Sequence, residues 1–418
     1  MAATADATAT IAVVPRLLVL GAGPAQLGVL AAARGRRLTV VAADRDPAAP
    51  GFRYADRRAI VSIEDEPAIE RLARAEEVDG LIAPGTDHAV AIAARVAERL
   101  GLPQPLPPEV AALAVSRRRQ RERLAEAGIP QPRSFVCRTR SEVAAAAEEL
   151  GYPVVVETPD REGERAVALA PNREALAAAA AEATAASVGD YCLVEEFLGQ
   201  RVVTVSAFSL AGRFLPLTVT DREQAPPPAF GFPLGLLWPA ELEPAEVGAI
   251  VDLAATAAAA LGVEHGLTTT QVLLGHGRPP LLAKLSARVG GAHDGELCRA
   301  ALGVDANALA VSAALGEPVH ARELAPAASI GGACVRFLVA RPGELRGVRG
   351  VEAAFAVTGV RGIRIYRRPG HVFRKLGGTS ARAGAILATG ETRDGARAAA
   401  DRAASLIRFE IARVEAVA

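Results

Sequence analysis

The sequence predicts an α/β protein of more than one domain. The chain has 418 residues, which is more than a single hydrophobic core usually supports. Its first hundred residues alternate buried strands with helices, which is typical of a doubly wound parallel sheet. Half of the residues are hydrophobic, and 47 basic residues balance 47 acidic ones. This composition favours a globular protein and gives no general attraction to nucleic acid or to a membrane surface.

The first domain is predicted over residues 16–108. It begins with a buried strand at Arg16–Leu20 and a glycine-rich turn at Gly21–Gly28 that leads into a helix. The turn resembles a dinucleotide-binding turn with Asp44 near the place of the ribose-binding acid, but Gln26 stands where that motif has its third glycine. We expect a tight turn at the ligand edge of the sheet, with nucleotide or metabolite binding there as the alternative.

Targeting features are weak. Residues 1–15 are rich in Ala and Thr and lack a basic segment, so we expect a disordered tail and not a signal peptide. The four cysteines have no CxxC spacing, which favours a cytoplasmic protein over a disulfide scaffold or zinc site. No apolar run reaches the length of a membrane span.

The remainder of the chain is predicted to form two further parts. Residues 109–325 form a second domain, with a small α+β lobe over about 130–200, and residues 326–418 form a C-terminal α+β cap. The cap is expected to end in one helix over Arg393–Val414.

A hairpin near the end of the second domain is the candidate site. Its strands carry polar residues at alternate positions, and a glycine pair, Gly290-Gly291, follows. This spacing would turn one set of side chains towards a common cavity, although a solvent-facing sheet edge would show the same alternation. The polar residues are Gln271, Lys284, Ser286 and Arg288.

The order of these features resembles the ATP-grasp superfamily, and most closely its carboxylate–amine ligases, which include L-amino-acid ligases and biotin-carboxylase-like enzymes. The resemblance rests on the helix ending Ala127–Pro130, the strands Gly151–Val156 and Val194–Leu198, and the hairpin segment Leu281–Gly291. It implies a three-part ATP-grasp fold in which the C-terminal cap completes the body. It also implies ATP as cofactor, small-molecule carboxylate and amine substrates, and a homodimer formed through the first domain.

The resemblance assigns roles to individual residues. The glycine-rich loop that covers the phosphates falls on residues 160–165, and Arg288 stands where the family has the arginine that steadies the acyl phosphate. The nucleotide-binding positions fall on Arg117, Glu157, Glu195, Glu196, Phe197 and Leu198. The metal positions, which are two acids and an asparagine in the family, fall on Gln271, Lys284 and Ser286.

These positions depart from the chemistry that the family needs. Glu157 replaces a lysine and puts a negative charge where phosphates would lie, and Lys284 replaces a carboxylate although an ammonium group has no lone pair to offer a cation. Magnesium binding is therefore disfavoured. Because lysine occurs only at Lys284 and Lys375, we predict a reciprocal charge swap in which Glu157 and Lys284 form an ion pair.

One further residue is assigned to catalysis. His293 follows the glycine pair and is expected to line the acceptor side of the cleft, with a helix-start role as the alternative. Three functional readings stay open at this point, one of which is the nucleotide- or metabolite-binding protein that uses the Gly21–Gly28 edge, as given above. The other two concern the ligase cleft. The first is an ATP-dependent carboxylate–amine ligase with a rewired site, and the second is a pseudoenzyme that binds a metabolite or partner without Mg-ATP turnover.

Overall fold

The computed structural model describes residues 14–158, 167–187, 189–199, 201–226, 229–275, 277–327 and 330–413. The predicted phosphate-covering loop at 160–165, and all but the last two residues of the predicted tail, lie outside this part of the chain.

The N-terminal domain is a four-stranded parallel sheet with the order β3-β2-β1-β4. Apolar runs such as Leu17–Leu20 are fully buried, as expected of strands covered on both faces. None of the helices in the described part of the chain has the length and apolar character needed to cross a bilayer. The elements are β1 (Arg16–Leu20), α1 (Leu27–Gly35), β2 (Thr39–Asp44), β3 (Arg57–Ile60), α2 (Glu66–Ala75), β4 (Gly80–Ile82) and α3 (Asp87–Leu100).

The glycine-rich turn is held by contacts within the protein. Gly21 has a φ of +97°, a conformation that favours glycine. The Asp44 carboxylate accepts a hydrogen bond from the Ala22 amide at 2.8 Å, and the Gln26 side chain donates to the Pro84 carbonyl at 2.7 Å. Asp44, at the end of β2, and Gln26, in the turn, therefore both support the tight-turn interpretation, because each one connects the turn to a neighbouring strand end.

Two helices, α4 (Pro108–Val115) and α5 (Arg117–Glu126), connect this domain to the next. The buried Gln120 side chain donates to the carbonyls of Ala114 and Leu285 and accepts from the Leu285 amide. These hydrogen bonds fix the start of α5 against the strand that contains Leu285, and so they position Arg117 beside the hairpin.

The small lobe is an antiparallel sheet with the order β5-β8-β6-β7, packed against two Ala-rich helices. Its core is formed by small and β-branched side chains, including Val154, Val156 and Val194. The elements are β5 (Ser134–Cys137), α6 (Arg140–Leu150), β6 (Val154–Glu157), β7 (Val167–Ala170), α7 (Arg173–Ala186) and β8 (Cys192–Glu196).

An eight-stranded antiparallel sheet forms the centre of the molecule, with the order β13-β12-β9-β10-β11-β14-β18-β16. Its last three strands come from the predicted C-terminal cap, so this sheet continues across the boundary predicted near residue 325. The elements up to the cap are β9 (Arg201–Leu210), β10 (Arg213–Gln224), β11 (Pro233–Trp238), α8 (Pro244–Ala260), β12 (Gly266–Leu274), β13 (Leu281–Ser286), α9 (Asp294–Leu302) and α10 (Ala306–Ala314).

The C-terminal part adds a second, three-stranded sheet with the order β17-β15-β19. The predicted helix over Arg393–Val414 is wrong in its last third, because the chain leaves the helix after Leu406 and pairs with β15. Alternating Phe409 and Ile411 pack against the core of that small sheet, which explains the change of period. The elements are β14 (Gly332–Val339), β15 (Gly343–Arg349), α11 (Val351–Phe355), β16 (Val360–Ile365), β17 (Val372–Phe373), β18 (Arg382–Gly390), α12 (Arg393–Leu406) and β19 (Arg408–Ala412).

Candidate functional site

A cleft of about 500 Å³ lies where the N-terminal domain, the small lobe and the central sheet meet. Its walls come from the turn at residues 24–26, the start of α3, the end of β6, the β12–β13 hairpin and the edges of β10 and β18. The carboxyl ends of parallel strands, where α/β sheets bind ligands, therefore open into the same space as the hairpin.

The hairpin presents its polar residues to this cleft, which confirms the expectation of a shared cavity. Gln271 pairs directly with Lys284, and Thr269 pairs with Ser286, in an antiparallel register with an irregularity after Gln271. Gln271, Lys284, Ser286 and Arg288 all line the cleft. Alternation along the two strands is sufficient to explain why these four side chains meet.

Asp87, at the first turn of α3, is the residue around which the hairpin side chains gather. Its carboxylate lies 2.5 Å from Arg288 Nε and 3.6 Å from Lys284 Nζ, and it accepts a hydrogen bond from Ser286 Oγ at 3.2 Å. The Asp87 side chain is 13% exposed, so these contacts form in a partly desolvated place. A carboxylate from the N-terminal domain thus lies among the hairpin side chains that the resemblance assigns to metal binding.

The sequence offered only a weak signal for Asp87. It follows Gly85 and Thr86 just after β4, at a strand end of the parallel sheet where ligand-binding residues are common. Nothing in the spacing connects that strand end to a hairpin some two hundred residues later in the chain.

Arg117 and Glu157 form the second charged centre. Arg117 donates to Glu157 Oε1 from Nε at 2.9 Å and from Nη2 at 2.7 Å, and its Nη1 donates to the Ala283 carbonyl at 3.1 Å. Burial lowers the pKa of the Arg117 guanidinium, but Glu157 and then Glu195 raise it more, so the net direction is upwards. The two positions that the resemblance assigns to phosphate binding are therefore bound to each other.

The predicted direct ion pair between Glu157 and Lys284 is wrong. Both residues line the cleft, but within the described residues Glu157 is paired with Arg117, whereas Lys284 lies against Asp87. The positions of two helices explain this outcome. Arg117 at the start of α5 contacts Glu157, and Asp87 at the start of α3 contacts Lys284.

The predicted adenine segment lines a neighbouring cavity of about 110 Å³. Glu195 accepts a hydrogen bond from Arg121 Nε at 2.9 Å, and both side chains are about nine-tenths buried. Burial raises the pKa of Glu195 and nearby Glu157 adds to this, while Arg121 opposes it. The Glu196 carboxylate accepts from the Arg133 amide. The cavity also contacts Phe197, Leu198, Val155, Phe230 and Leu273.

His293 lies behind the cleft wall. It begins α9 in the left-handed conformation, with φ +62°, so the helix-start alternative describes its backbone. Its Nδ1 is 2.8 Å from Glu296 and its Nε2 is 2.5 Å from the Tyr366 hydroxyl. Tyr366 and Asp294 line the cleft, whereas His293 is not among the residues found there.

The Glu296 carboxylate determines the direction of the hydrogen bond at His293 Nδ1. Although burial alone would raise it, the pKa of Glu296 is held at about 2, chiefly by His293. An ionised Glu296 carboxylate can only accept, so the His293 Nδ1 proton is donated to Glu296. Burial raises the pKa of Tyr366, so its hydroxyl keeps its proton. His293 is thus a positioning partner of Tyr366 in this structure.

The positions that the resemblance assigns to metal ligands are occupied by Gln271, Lys284 and Ser286. They provide an amide, an ammonium group and a hydroxyl, and the ammonium group has no acceptor. Within the described ranges, no three His, Cys, Asp or Glu side chains are gathered as a metal ion would need. Glu157 lines the same cleft.

Two family models match parts of the chain. L-amino acid ligase C-terminal domain 2 matches residues 336–412, and the ATP-binding domain of the carbamoyl-phosphate synthase L chain matches residues 116–204. The formate-dependent phosphoribosylglycinamide formyltransferase of Synechococcus sp. (strain RCC307) is 27% identical over 413 residues, which is 94% of this chain and 97% of that protein.

Solved structures give the same result for the fold. The L-amino acid ligase from Bacillus licheniformis superimposes with a TM-score of 0.81 at 20% identity, covering 96% of this chain and 99% of the ligase. The chain is an ATP-grasp protein. The family models place it with the carboxylate–amine ligases, which confirms the fold and the family predicted from the sequence.

A further structural neighbour of this ATP-grasp protein contains nucleotide. The biotin carboxylase domain of Hydrogenobacter thermophilus 2-oxoglutarate carboxylase, a dimer in complex with MgADP, ADP and bicarbonate, has a TM-score of 0.77 at 17% identity. It covers 96% of this chain and 91% of that domain.

Proposed function

We propose that this ATP-grasp protein is a pseudoenzyme, which binds a small molecule in the ligase cleft without Mg-ATP turnover. The observation that carries the proposal is the Arg117–Glu157 pair. Its 2.7 Å contact is 19% exposed on the arginine side and 8% exposed on the glutamate side. A triphosphate would have to displace the carboxylate from its guanidinium or accept it as a neighbour, and both are unfavourable in a poorly solvated site.

The metal positions support the same proposal. Lys284 stands at a position that holds a metal ligand in the family, and both Lys284 and the retained Arg288 are already neutralised in part by Asp87. Arg117, Glu157, Glu195 and Lys284 therefore each have an internal counter-charge. The charges at these positions are therefore balanced without a bound nucleotide or metal ion.

Titration calorimetry with Mg-ATP and Mg-ADP tests the proposal. We expect no binding tighter than about 1 mM for the natural protein. The triple variant Glu157→Lys, Gln271→Glu and Lys284→Glu restores the residue types of the family, and we expect it to gain nucleotide binding if these positions are the obstacle. Micromolar binding of Mg-ATP by the natural protein would overturn the proposal.

A ligase with a rewired site is the second candidate. It is favoured by Arg288, which is retained at the acyl-phosphate position, and by the cavity beside the adenine segment. It predicts release of phosphate from ATP that depends on both a carboxylate and an amine. A panel of amino acids and other small carboxylates, assayed for phosphate and ADP release, distinguishes the two candidates.

The ligand and the assembly follow from the same family. We expect small-molecule carboxylates or amines as ligands, no nucleic acid, no membrane partner and a homodimer formed through the N-terminal domain, which light scattering would test. We place the protein in the cytoplasm because Cys137, Cys192, Cys298 and Cys334 are all buried free thiols.

A further inference from the structure

A second cavity, of about 70 Å³, lies next to the cleft at the base of the hairpin. It is surrounded by the end of β4, helices α3 and α10, the linker before α4, the start of β12 and residues 287–289. Arg288 is the residue that lines both this cavity and the cleft. None of the residues assigned above to nucleotide or metal is among those that line it, so the cavity is a separate space.

Alanine side chains create this space. On each of two helices the lining residues have the spacing of a single helix face. All but one of them have a methyl group as side chain, which leaves the volume between the surrounding elements unfilled. These residues are Val90, Ala93, Ala94 and Ala97 on α3 and Ala310, Ala313 and Ala314 on α10.

Of the described residues that line the cavity, three are polar, and two of these already have partners. Arg288 Nε lies 2.5 Å from the Asp87 carboxylate, on the side of the cleft. In the orientation that satisfies its amide, the Gln104 side chain donates to two main-chain carbonyls at 3.1 and 2.8 Å. The rest of the lining is apolar, and such a cavity stays dry because a bound water needs several polar partners.

His265 is the third polar residue, and its ring is available to a ligand. It directly precedes β12 and packs edge-on against Phe208, with 5.3 Å between the ring centroids. Burial lowers its pKa, so the ring is neutral at pH 7 and has one donor and one acceptor nitrogen. Within the part of the chain that the structure describes, neither nitrogen is hydrogen-bonded.

The cavity opens to solvent beside this histidine. Pro105 lies against Gly266, where an added methyl group would be 3.3 Å from the proline ring. His265 and Pro105 are both only partly buried, whereas the alanines of α3 that line the cavity are buried. A ligand could therefore place an apolar end among the alanines and a polar end at His265.

We infer that this cavity is a second binding site, which takes the branched aliphatic end of a small uncharged molecule and hydrogen-bonds its polar end through His265. An engineered cavity of about 150 Å³ binds benzene, so a cavity of about 70 Å³ has room for about three carbon atoms, the size of an isopropyl group. A charged ligand is disfavoured, because the charged residue of the lining, Arg288, is already paired with Asp87. This site goes beyond the proposed function, which concerns the cleft alone.

Saturation-transfer difference NMR on the whole chain tests the inference with isobutanol, which has an isopropyl group and one hydroxyl. We expect a saturable signal from its methyl protons with a Kd in the millimolar range, because so small a molecule cannot bind tightly. Isobutyrate has the same carbon skeleton but carries a carboxylate. We expect it to give no signal that depends on the cavity.

Two variants fill the cavity from different helices. Ala97→Leu on α3 and Ala313→Leu on α10 each add one isopropyl group to the lining. Each should abolish the saturable isobutanol signal, because the group occupies the space of the ligand. Each should also leave the melting temperature unchanged or higher, because it fills a void. If one of these variants does not fold, the other decides the question.

Two further variants test the polar end and the specificity of the effect. His265→Phe keeps an aromatic ring against Phe208 but removes both nitrogens, and it should weaken isobutanol binding about fivefold. An unchanged affinity in this variant would remove His265 from the site. Ala177→Leu makes the same alanine substitution on the exposed face of α7, and it should bind isobutanol like the natural protein.

The inference is overturned if isobutanol gives no saturable signal, as expected of a mere packing void, or if its signal survives in both Ala97→Leu and Ala313→Leu. An isobutyrate signal that these variants remove would overturn the uncharged class of ligand. Binding of Mg-ATP is measured separately by calorimetry, so failure of this inference and failure of the proposed function are distinguishable.

Discussion

Separating Arg117 from Glu157 is the most direct perturbation of the nucleotide positions. Arg117→Met keeps the length of the side chain but leaves Glu157 buried without its counter-charge. Breaking a buried pair from one side costs about 3–5 kcal/mol, and a residual exposure of 19% at Arg117 points to the lower end of that range. We therefore expect Arg117→Met to lower the free energy of unfolding by about 3 kcal/mol.

Removing the charge of Glu157 instead of that of Arg117 should lower the free energy of unfolding by less. In Glu157→Gln, the Arg117 guanidinium still donates to the Ala283 carbonyl, so we expect the free energy of unfolding to fall by only about 1.5 kcal/mol. The double variant removes both charges and should also lose only about 1.5 kcal/mol, which gives a coupling energy of about 3 kcal/mol. For comparison, two charges 4 Å apart interact by about 4 kcal/mol at an effective dielectric constant of 20.

The measurement is denaturant unfolding of the natural protein, both single variants and the double variant, followed by circular dichroism and by the single tryptophan, Trp238. Arg118 and Glu122 on the same helix are the control pair, because they are 2.6 Å apart but 39% and 53% exposed. Their coupling should be about 0.5 kcal/mol or less. A coupling for Arg117 and Glu157 as small as this control would refute the buried pair, and with it the main argument against nucleotide binding.

Two further predictions concern other parts of the molecule. Burial raises the pKa of Glu296, but His293 lowers it from 4.5 to about 2. The ionised group therefore stabilises the fold above about pH 4.5, and this stability, about 3 kcal/mol, is lost as the pH falls through 2. Denaturant unfolding at each pH should show a smaller loss in Glu296→Gln. Gly331→Ala would put a methyl group 1.6 Å from the Glu391 carbonyl oxygen and should abolish soluble expression, whereas Gly362→Ala, with open space around it, should be tolerated.

The sequence predicted the architecture well where local pattern and family order agreed. The parallel first sheet, the small lobe and the hairpin all follow from buried runs and alternating strands. The last strand was missed because Ala-rich helix α12 passes through a single residue, Ile407, into the short alternating segment Arg408–Ala412. A five-residue strand after a long helix has too short a pattern to be recognised before its partner, β15, is known.

The site was predicted as a set of positions but not as a set of contacts. Alternation placed Gln271, Lys284 and Ser286 in one cavity, and this is how they lie. Their partners could not be predicted, because Asp87 belongs to another domain and because a charged residue does not reveal which of several nearby counter-charges it will meet. Either Arg117 or Lys284 could have paired with Glu157, and the position of α5 in the fold is what brings Arg117 into contact with it.

The ion pairs in and beside the cleft bear on its function. Charges that accumulate in a decaying site have no reason to be matched, and unmatched buried charges are strongly destabilising. Here Glu157 meets Arg117, Glu195 meets Arg121, and Lys284 meets Asp87. Matched ion pairs at the positions that the resemblance assigns to nucleotide are what the proposed pseudoenzyme predicts, because such pairs keep the cleft stable without Mg-ATP.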